Sequence, residues 1–326
     1  MVNILMLSKW HVHAEGYART VMAQPDAQIT CVWDEDAERG KKWADTMGVD
    51  FEPDLAKALA RGDVDAVIIE TATSVHREIM VAAANAGKHI FTEKAMALTV
   101  EDCNAITEAV ERNKVKFCIS LAQLVNPYIQ LCKKAVDEGQ LGDIHYMRMR
   151  TAHDGSSRGW LPEYWYDVEK AGGGAMMDLG CHPMYTASYL LGKPKRIVSM
   201  FNTTFAPNPD ADDNAVCVVE FANNAIAVLE TSFVSPFNSG VFELLGTKGA
   251  IIYERGQLKM RTKDTEGGWF IPDKLPEALP IAMRMWLDGI INGTEIIFDT
   301  KKGTALTELL ENAYISHKEQ KIVEIK

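Results

Sequence analysis

The sequence predicts an α/β protein: an N-terminal doubly wound parallel sheet followed by a C-terminal α+β domain with a mainly antiparallel open sheet. Two observations predict it. Through residues 1–122 short, continuous apolar runs alternate with helical patterns, and a strand buried on both faces has no reason to alternate apolar with polar side chains. From residue 123 onward strand candidates follow one another directly, joined by turns such as "ANNA" and "GTKG", which imply hairpins. The domains are therefore drawn as 1–122 and 123–326, and with no low-complexity linker between them they are expected to share a cleft.

In the first domain the strand candidates are 3–8, 28–33, 49–51, 65–70, 88–92 and 115–120, separated by helical stretches that include 36–46, 76–87 and 99–113. In the second, a helix at 127–138 precedes strands at 144–152, 195–205, 214–221, 225–233, 241–246 and 249–254, with helices at 176–191 and 276–292. The last helical stretch, 304–318, is available to pack back on the first domain.

Composition narrows the function. With 326 residues, 47% hydrophobic and 24% charged, the chain can build a sizeable core. A net charge of -11 opposes encounter with a phosphate backbone or an anionic membrane, so neither nucleic acid nor membrane is an expected partner. No targeting pattern and no run of ~18 apolar residues is present, and a cytoplasmic location is expected. Cys31, Cys103, Cys118, Cys132, Cys181 and Cys217 form no C-x-x-C pair, which suits reduced, buried thiols.

Four stretches carry chemistry. "NILMLSKWHVHAEGYA" runs from strand to helix where a dinucleotide fold has a G-x-G-x-x-G turn, yet Ser8, Trp10 and His13 stand in the glycine positions. Ser8 can substitute for the first glycine at negative φ. Trp10 cannot lie flat beneath a pyrophosphate, and Trp10 with His13 would close access to it. The free amides of the helix N-terminus still attract phosphate, with His11 or His13 beside it. The H-x-H pair lacks a clear third ligand, so packing or phosphate contact is favoured over a metal, and none is expected. "CVWDED" places Asp34 where an acid meets the adenosine ribose. Asp34, Glu35 and Asp36 either repel a 2'-phosphate, favouring NAD, or cap the next helix. "FTEKAMA" puts Glu93 and Lys94 at the carboxyl end of the fifth strand, as ligand groups or as a solvated surface pair. "KAGGGAMMDLGCHP" has three glycines for close backbone approach, then Asp178 and His182 at i and i+4 of one helix face, able to bind and deprotonate a hydroxyl or merely to pair on the surface. Before it, His153, Tyr164 and Trp165 lie in an aromatic stretch that suits either stacking on a sugar or anchoring a long loop.

The stretches "DAVIIETATSVHREIMVAAANAGKHIFTEKAMA" and "GGGAMMDLGCHP", with the domain order, resemble the Gfo/Idh/MocA family of glucose-fructose oxidoreductase and inositol dehydrogenase relatives. The resemblance implies a Rossmann first domain with bound NAD. It makes Lys94 a contact to nicotinamide ribose and substrate, Asp178 a substrate-hydroxyl ligand and His182 the general base. It adds Thr71, Thr73, Ser74, His76 and Gln123 as cofactor contacts. Departures include Ala95 and Ala72 where the family commonly has proline, and the altered first turn.

The expected function is an NAD-dependent oxidoreductase moving hydride between a hydroxyl of a sugar, inositol or derivative and the nicotinamide. The alternatives are a glycoside hydrolase or lyase that keeps NAD bound for transient oxidation, and a non-catalytic sensor of the same fold. A homodimer or homotetramer is expected, because strands such as "AVCVVEF" and "AIAVLETSF" are too apolar to leave a sheet face in water.

Overall fold

The computed structural model describes residues 1–237, 240–254, 256–265 and 268–325. The chain divides into two compact units, one of Met1–Ser120 with Pro280–Thr307, the other of Leu121–Leu279 with Glu308–Lys326. The segment Pro280–Thr307 thus clusters with the N-terminal unit.

The first unit contains β1 (Val2–Leu7), α1 (Ala14–Met22), β2 (Ala27–Trp33), α2 (Ala37–Met47), β3 (Asp50–Phe51), α3 (Leu55–Ala60), β4 (Ala66–Ile69), α4 (His76–Asn85), β5 (His89–Thr92), α5 (Val100–Asn113) and β6 (Phe117–Ile119). All six strands are parallel, in the order β3-β2-β1-β4-β5-β6. The apolar runs explain the sheet's position. Ile4 to Leu7 and Ala66 to Ile69 are completely buried, so β1 and β4 are covered on both faces. Strand order reverses between β1 and β4, and the loops after them flank the crevice where open parallel sheets take ligands.

The second unit begins with α6 (Pro127–Asp137) and β7 (Ile144–Ala152), followed by the one-turn helices α7 (Gly155–Arg158), α8 (Val168–Ala171) and α9 (Ala175–Asp178), then α10 (Cys181–Leu191). Its further strands are β8 (Pro194–Asn202), β9 (Asn214–Phe221), β10 (Ile226–Ser232), β11 (Gly240–Gly246), β12 (Ala250–Glu254) and β13 (Gln257–Arg261). After them come α11 (Ala282–Ile291) in the first unit, α12 (Thr300–Glu319), which runs from one unit into the other, and β14 (Val323–Glu324) in the second. The sheet order is β13-β12-β11-β7-β10-β9-β8-β14; its pairs are antiparallel except β7 with β10.

Four elements depart from the sequence reading. The helix expected over 276–292 starts only at Ala282, because Pro276 and Pro280 supply no backbone donor and hold the preceding segment extended. The helix expected over 176–191 is interrupted after Asp178. There Gly180 N–H reaches back to Ala175 O at 2.9 Å, a widened turn, and a Cβ on Gly180 would stand 2.5 Å from Met176 O. Asp178 and His182 are therefore not one turn apart on a regular helix. β13 and β14 were not anticipated, being short and polar on one face. The six cysteines are buried, as expected. Among the described residues no helix is long and apolar enough to cross a membrane.

Candidate active site

At the carboxyl edge of the parallel sheet, the turn after β1 is built on Ser8. Its φ is 76°, the left-handed region glycine favours, so Ser8 takes the conformation of the glycine it replaces rather than the negative φ expected. Two bonds hold it there: Ser8 N–H donates to Trp33 O at 2.7 Å, and Ser8 Oγ accepts from Trp10 N–H at 3.0 Å. Trp10 is turned inward with 6% of its surface exposed, so it is not a bulky lid over the helix N-terminus, contrary to the obstruction inferred from residue type. A Cβ on Gly16, in the first turns of α1, would meet nothing within 4 Å.

Asp34 ends β2 fully engaged. It accepts from Lys9 N–H and Asp36 N–H, both at 2.9 Å, and from Arg39 Nε at 3.0 Å. Arg39 also reaches Glu35 at 2.8 Å and Ser8 Oγ at 3.2 Å, placing its cation between two of the three carboxylates, Asp34 and Glu35. The helix cap is Asp36, which accepts from Glu38 N–H and Arg39 N–H. Sequence reasoning missed Arg39, although its position four residues beyond Glu35 in a helical stretch was a usable signal.

Thr71 and Thr73 are buried after β4, Ser74 is exposed, and Thr71 Oγ1 is buried without a hydrogen-bond partner. His76 is buried, with Nδ1 3.1 Å from Ala95 O and Nε2 3.2 Å from Thr71 O. It ties the loop after β4 to the segment carrying Lys94. Burial disfavours its charged form and lowers its pKa, against the pull of the carbonyls.

Glu93 and Lys94 are 3% and 6% exposed, which removes the surface-pair reading. Lys94 N–H donates to Glu93 Oε2 at 3.0 Å, and the Lys94–Ala95 peptide is cis. Glu93 Oε1 takes a hydrogen bond from Tyr17 and lies 3.2 Å from His13 Nδ1. Burial opposes the Glu93 charge, but the His13 hydrogen bond and the charges of His11 and Lys94 outweigh it and hold the carboxyl well below the usual range. Glu70, the residue after β4, is completely buried; burial and the Glu93 charge push its pKa well up, with Lys94 opposing. Sequence reasoning missed Glu70 and Tyr17. An acid inside "VIIETA" is the one signal that could have found the first, since a lone carboxylate in an apolar strand end demands an explanation.

In the second unit the triple glycine is explained by contact. A Cβ on Gly173 would stand 2.0 Å from Tyr314 Oη, and one on Gly174 1.9 Å from Asp212 O. Buried Asp212 accepts from Gly174 N–H at 2.9 Å, Met176 N–H at 2.7 Å and Tyr314 Oη at 2.7 Å, so this carboxylate fixes the start of α9. Asp178 and His182 follow, both half-buried. His182 Nδ1 is 2.7 Å from the Tyr185 hydroxyl, whose oxygen also accepts Gln123 N–H at 3.0 Å. For Nε2 to accept a proton, Nδ1 must keep its own and donate it to Tyr185; the phenol oxygen has a lone pair for each donor. On the reading of His182 as the general base, Tyr185→Phe is expected to lower kcat by about 10-fold and to move the acidic limb of the rate profile to lower pH, because the imidazolium loses an acceptor. A fall in kcat with an unmoved limb would reduce Tyr185 to packing.

The aromatic stretch divides. Trp165 is buried at 5% exposure and anchors the loop, whereas Tyr164 is 42% exposed. His153 stacks on Phe233 with centroids 4.8 Å apart and approaches Trp160 at 4.7 Å.

Together the parallel order β3-β2-β1-β4-β5-β6 and its reversal between β1 and β4 define a protein of the Rossmann class. Residues 12–121 match the oxidoreductase family with the NAD-binding Rossmann fold, and residues 129–252 match the GFO/IDH/MocA C-terminal domain. The chain belongs to the Gfo/Idh/MocA oxidoreductases. It is 28% identical over 304 residues to scyllo-inositol 2-dehydrogenase (NAD(+)) of Bacillus subtilis (strain 168), covering 89% of this chain and 85% of that one. It is 27% identical over 237 residues to 2,7-anhydro-N-acetylneuraminate hydratase of Mediterraneibacter gnavus, covering 72% of this chain and 62% of that one. The fold matches that of a levoglucosan dehydrogenase in complex with NADH and levoglucosan, with TM-score 0.87, 22% identity and 99% of each chain covered. NAD fits the first unit on this chain's own features: the orphaned hydroxyl of Thr71 faces no protein partner, and Ser8 preserves the glycine-like turn before α1.

Proposed function

We propose that the protein is an NAD-dependent dehydrogenase of a sugar, an inositol or a close derivative, with Lys94, Asp178 and His182 as its catalytic groups. The observation that carries this reading is the His182 ring held through Nδ1 by Tyr185, which leaves the imidazole oriented to act as a base. The dehydrogenase names of relatives such as the inositol enzyme support the substrate class. NAD supplies the hydride acceptor when bound. The amides at the start of α1 with His11 and His13, the Asp34 carboxylate in exchange for Arg39, and the Thr71 to Ser74 loop would hold it, with Gln123 a further contact. His182 takes the hydroxyl proton, the Lys94 ammonium stabilises the oxygen as negative charge develops, and Asp178 accepts a hydrogen bond from a neighbouring hydroxyl. His153 and exposed Tyr164 offer faces to a sugar ring.

A second reading, a redox-neutral enzyme that oxidises and re-reduces its sugar while keeping NAD, is supported by the hydratase relative. One experiment separates the two: incubate the protein with NAD, or with NADP, and a panel of inositols, free sugars and anhydrosugars, following absorbance of the reduced nicotinamide alongside product. Reduced NAD accumulating in proportion to an oxidised sugar or polyol is expected. Sustained conversion without net NADH would overturn the first reading in favour of the second.

The outer face of the antiparallel sheet exposes Val198, Met200, Val216 and Ile226, at 39%, 78%, 42% and 44%. We infer that a second copy covers this face, giving a homodimer or homotetramer. Light scattering at micromolar protein is expected to return a multiple of the 36.2 kDa chain mass; a monomer would refute it.

A further inference from the structure

We propose that the edge of the parallel sheet in the first unit is a binding site for a divalent transition-metal ion, with His11, His13 and Glu93 as its protein ligands. The three residues come from the loop after β1 and the loop after β5, 80 positions apart for His13 and Glu93, and fold into one cluster whose donor atoms all lie within 4.8 Å of one another. Two imidazoles and a carboxylate are a donor set suited to zinc and to other borderline cations, and three protein ligands leave a fourth position for water or a ligand oxygen.

One pair already has the spacing coordination needs, and the cluster as a whole, with donor atoms up to 4.8 Å apart, closes around the ion on binding. Bonds of about 2.0–2.1 Å to a tetrahedral centre place neighbouring donor atoms about 3.3–3.4 Å apart. His13 Nδ1 and Glu93 Oε1 are 3.2 Å apart, and the half-exposed His13 has room to adjust. The buried His11 stands against the His13 ring, with centroids 4.8 Å apart.

A second observation points to a cation independently. Glu70 is completely buried beside the cluster, its Oε2 3.6 Å from His11 Nδ1, and neither of its oxygens has a hydrogen-bond partner. His11 Nδ1 accepts the His13 backbone N–H at 3.2 Å, so Glu70 stands beside the cluster as a buried carboxyl with no hydrogen-bond partner of its own. The edge also carries two buried carboxylates, Glu70 and Glu93, beside the buried cation of Lys94. A divalent ion between the imidazoles and Glu93 places further positive charge beside the Glu93 carboxylate.

The test uses the full chain stripped with a chelator and then titrated with Zn²⁺ or Co²⁺, without dinucleotide or sugar, so that its outcome is independent of the proposed redox reaction. One equivalent of zinc per chain is expected to survive gel filtration, and Co²⁺ is expected to give the intense visible absorption of a four-coordinate nitrogen and oxygen site. His13→Ala, a change at a half-exposed position, is expected to weaken binding at least 10-fold with unchanged circular dichroism, and Glu93→Gln to do the same. Substoichiometric zinc in the unmodified protein would overturn the proposal. So would full-strength binding in both variants, which would place the metal on other histidines.

Discussion

Replacing Lys94 or His182 by alanine is expected to lower kcat by at least ~100-fold while the fold persists, since the proposed mechanism has both groups act on charge that develops only in the transition state. His182 is half-buried, and its loss removes one hydrogen bond to Tyr185. Lys94 is more demanding. Its ammonium is buried near Glu93, so Lys94→Ala leaves the buried Glu93 carboxylate less compensated and is expected to cost some stability as well as turnover. Lys94→Arg keeps the charge and distinguishes the two effects: stability should return while turnover stays low, because a planar guanidinium does not put a point charge on the reacting oxygen. The measurement is steady-state oxidation of the best polyol found in the substrate panel, read beside a thermal melt. Near-normal kcat in either alanine variant would remove that residue from the chemistry.

Gly174→Ala is expected to destabilise the second unit by on the order of 3 kcal/mol or more and to abolish turnover. A Cβ there would lie 1.9 Å from the Asp212 carbonyl oxygen, a backbone atom that cannot step aside without moving the residue that holds α9. Displacing Asp212 also breaks its bonds to Gly174, Met176 and Tyr314 and leaves a buried carboxylate short of donors. Gly62→Ala is the control, because a Cβ at that position would meet nothing within 4 Å. A urea midpoint for Gly174→Ala equal to that of the control would show that the chain relaxes around the methyl group.

Much of the first unit was legible in the sequence, and the reason is local. A strand buried on both faces must be apolar throughout, so "NILMLS" and "DAVIIE" announce a parallel sheet without reference to anything distant. The site was legible as residue types at strand ends. Asp34, Glu93 and Lys94 were found because position at the carboxyl edge follows from strand boundaries alone. Their states were not legible. Burial of Glu93 and Lys94, saturation of Asp34 by Arg39, and the inward turn of Trp10 depend on what other segments place around them.

The sequence by itself determined the fold class, the family and the candidate chemistry, because apolar periodicity and short motifs are properties of contiguous chain. Only the tertiary structure decided that Ser8 adopts the conformation of the missing glycine, because φ at that turn is set by hydrogen bonds to Trp33 and Trp10. It alone interrupted the helix between Asp178 and His182, where a glycine lets the backbone close against Met176. It alone brought Glu93 and Glu70 to the H-x-H pair. A third ligand 80 residues away is invisible to spacing, since a parallel sheet joins strand ends in space whatever chain length separates them.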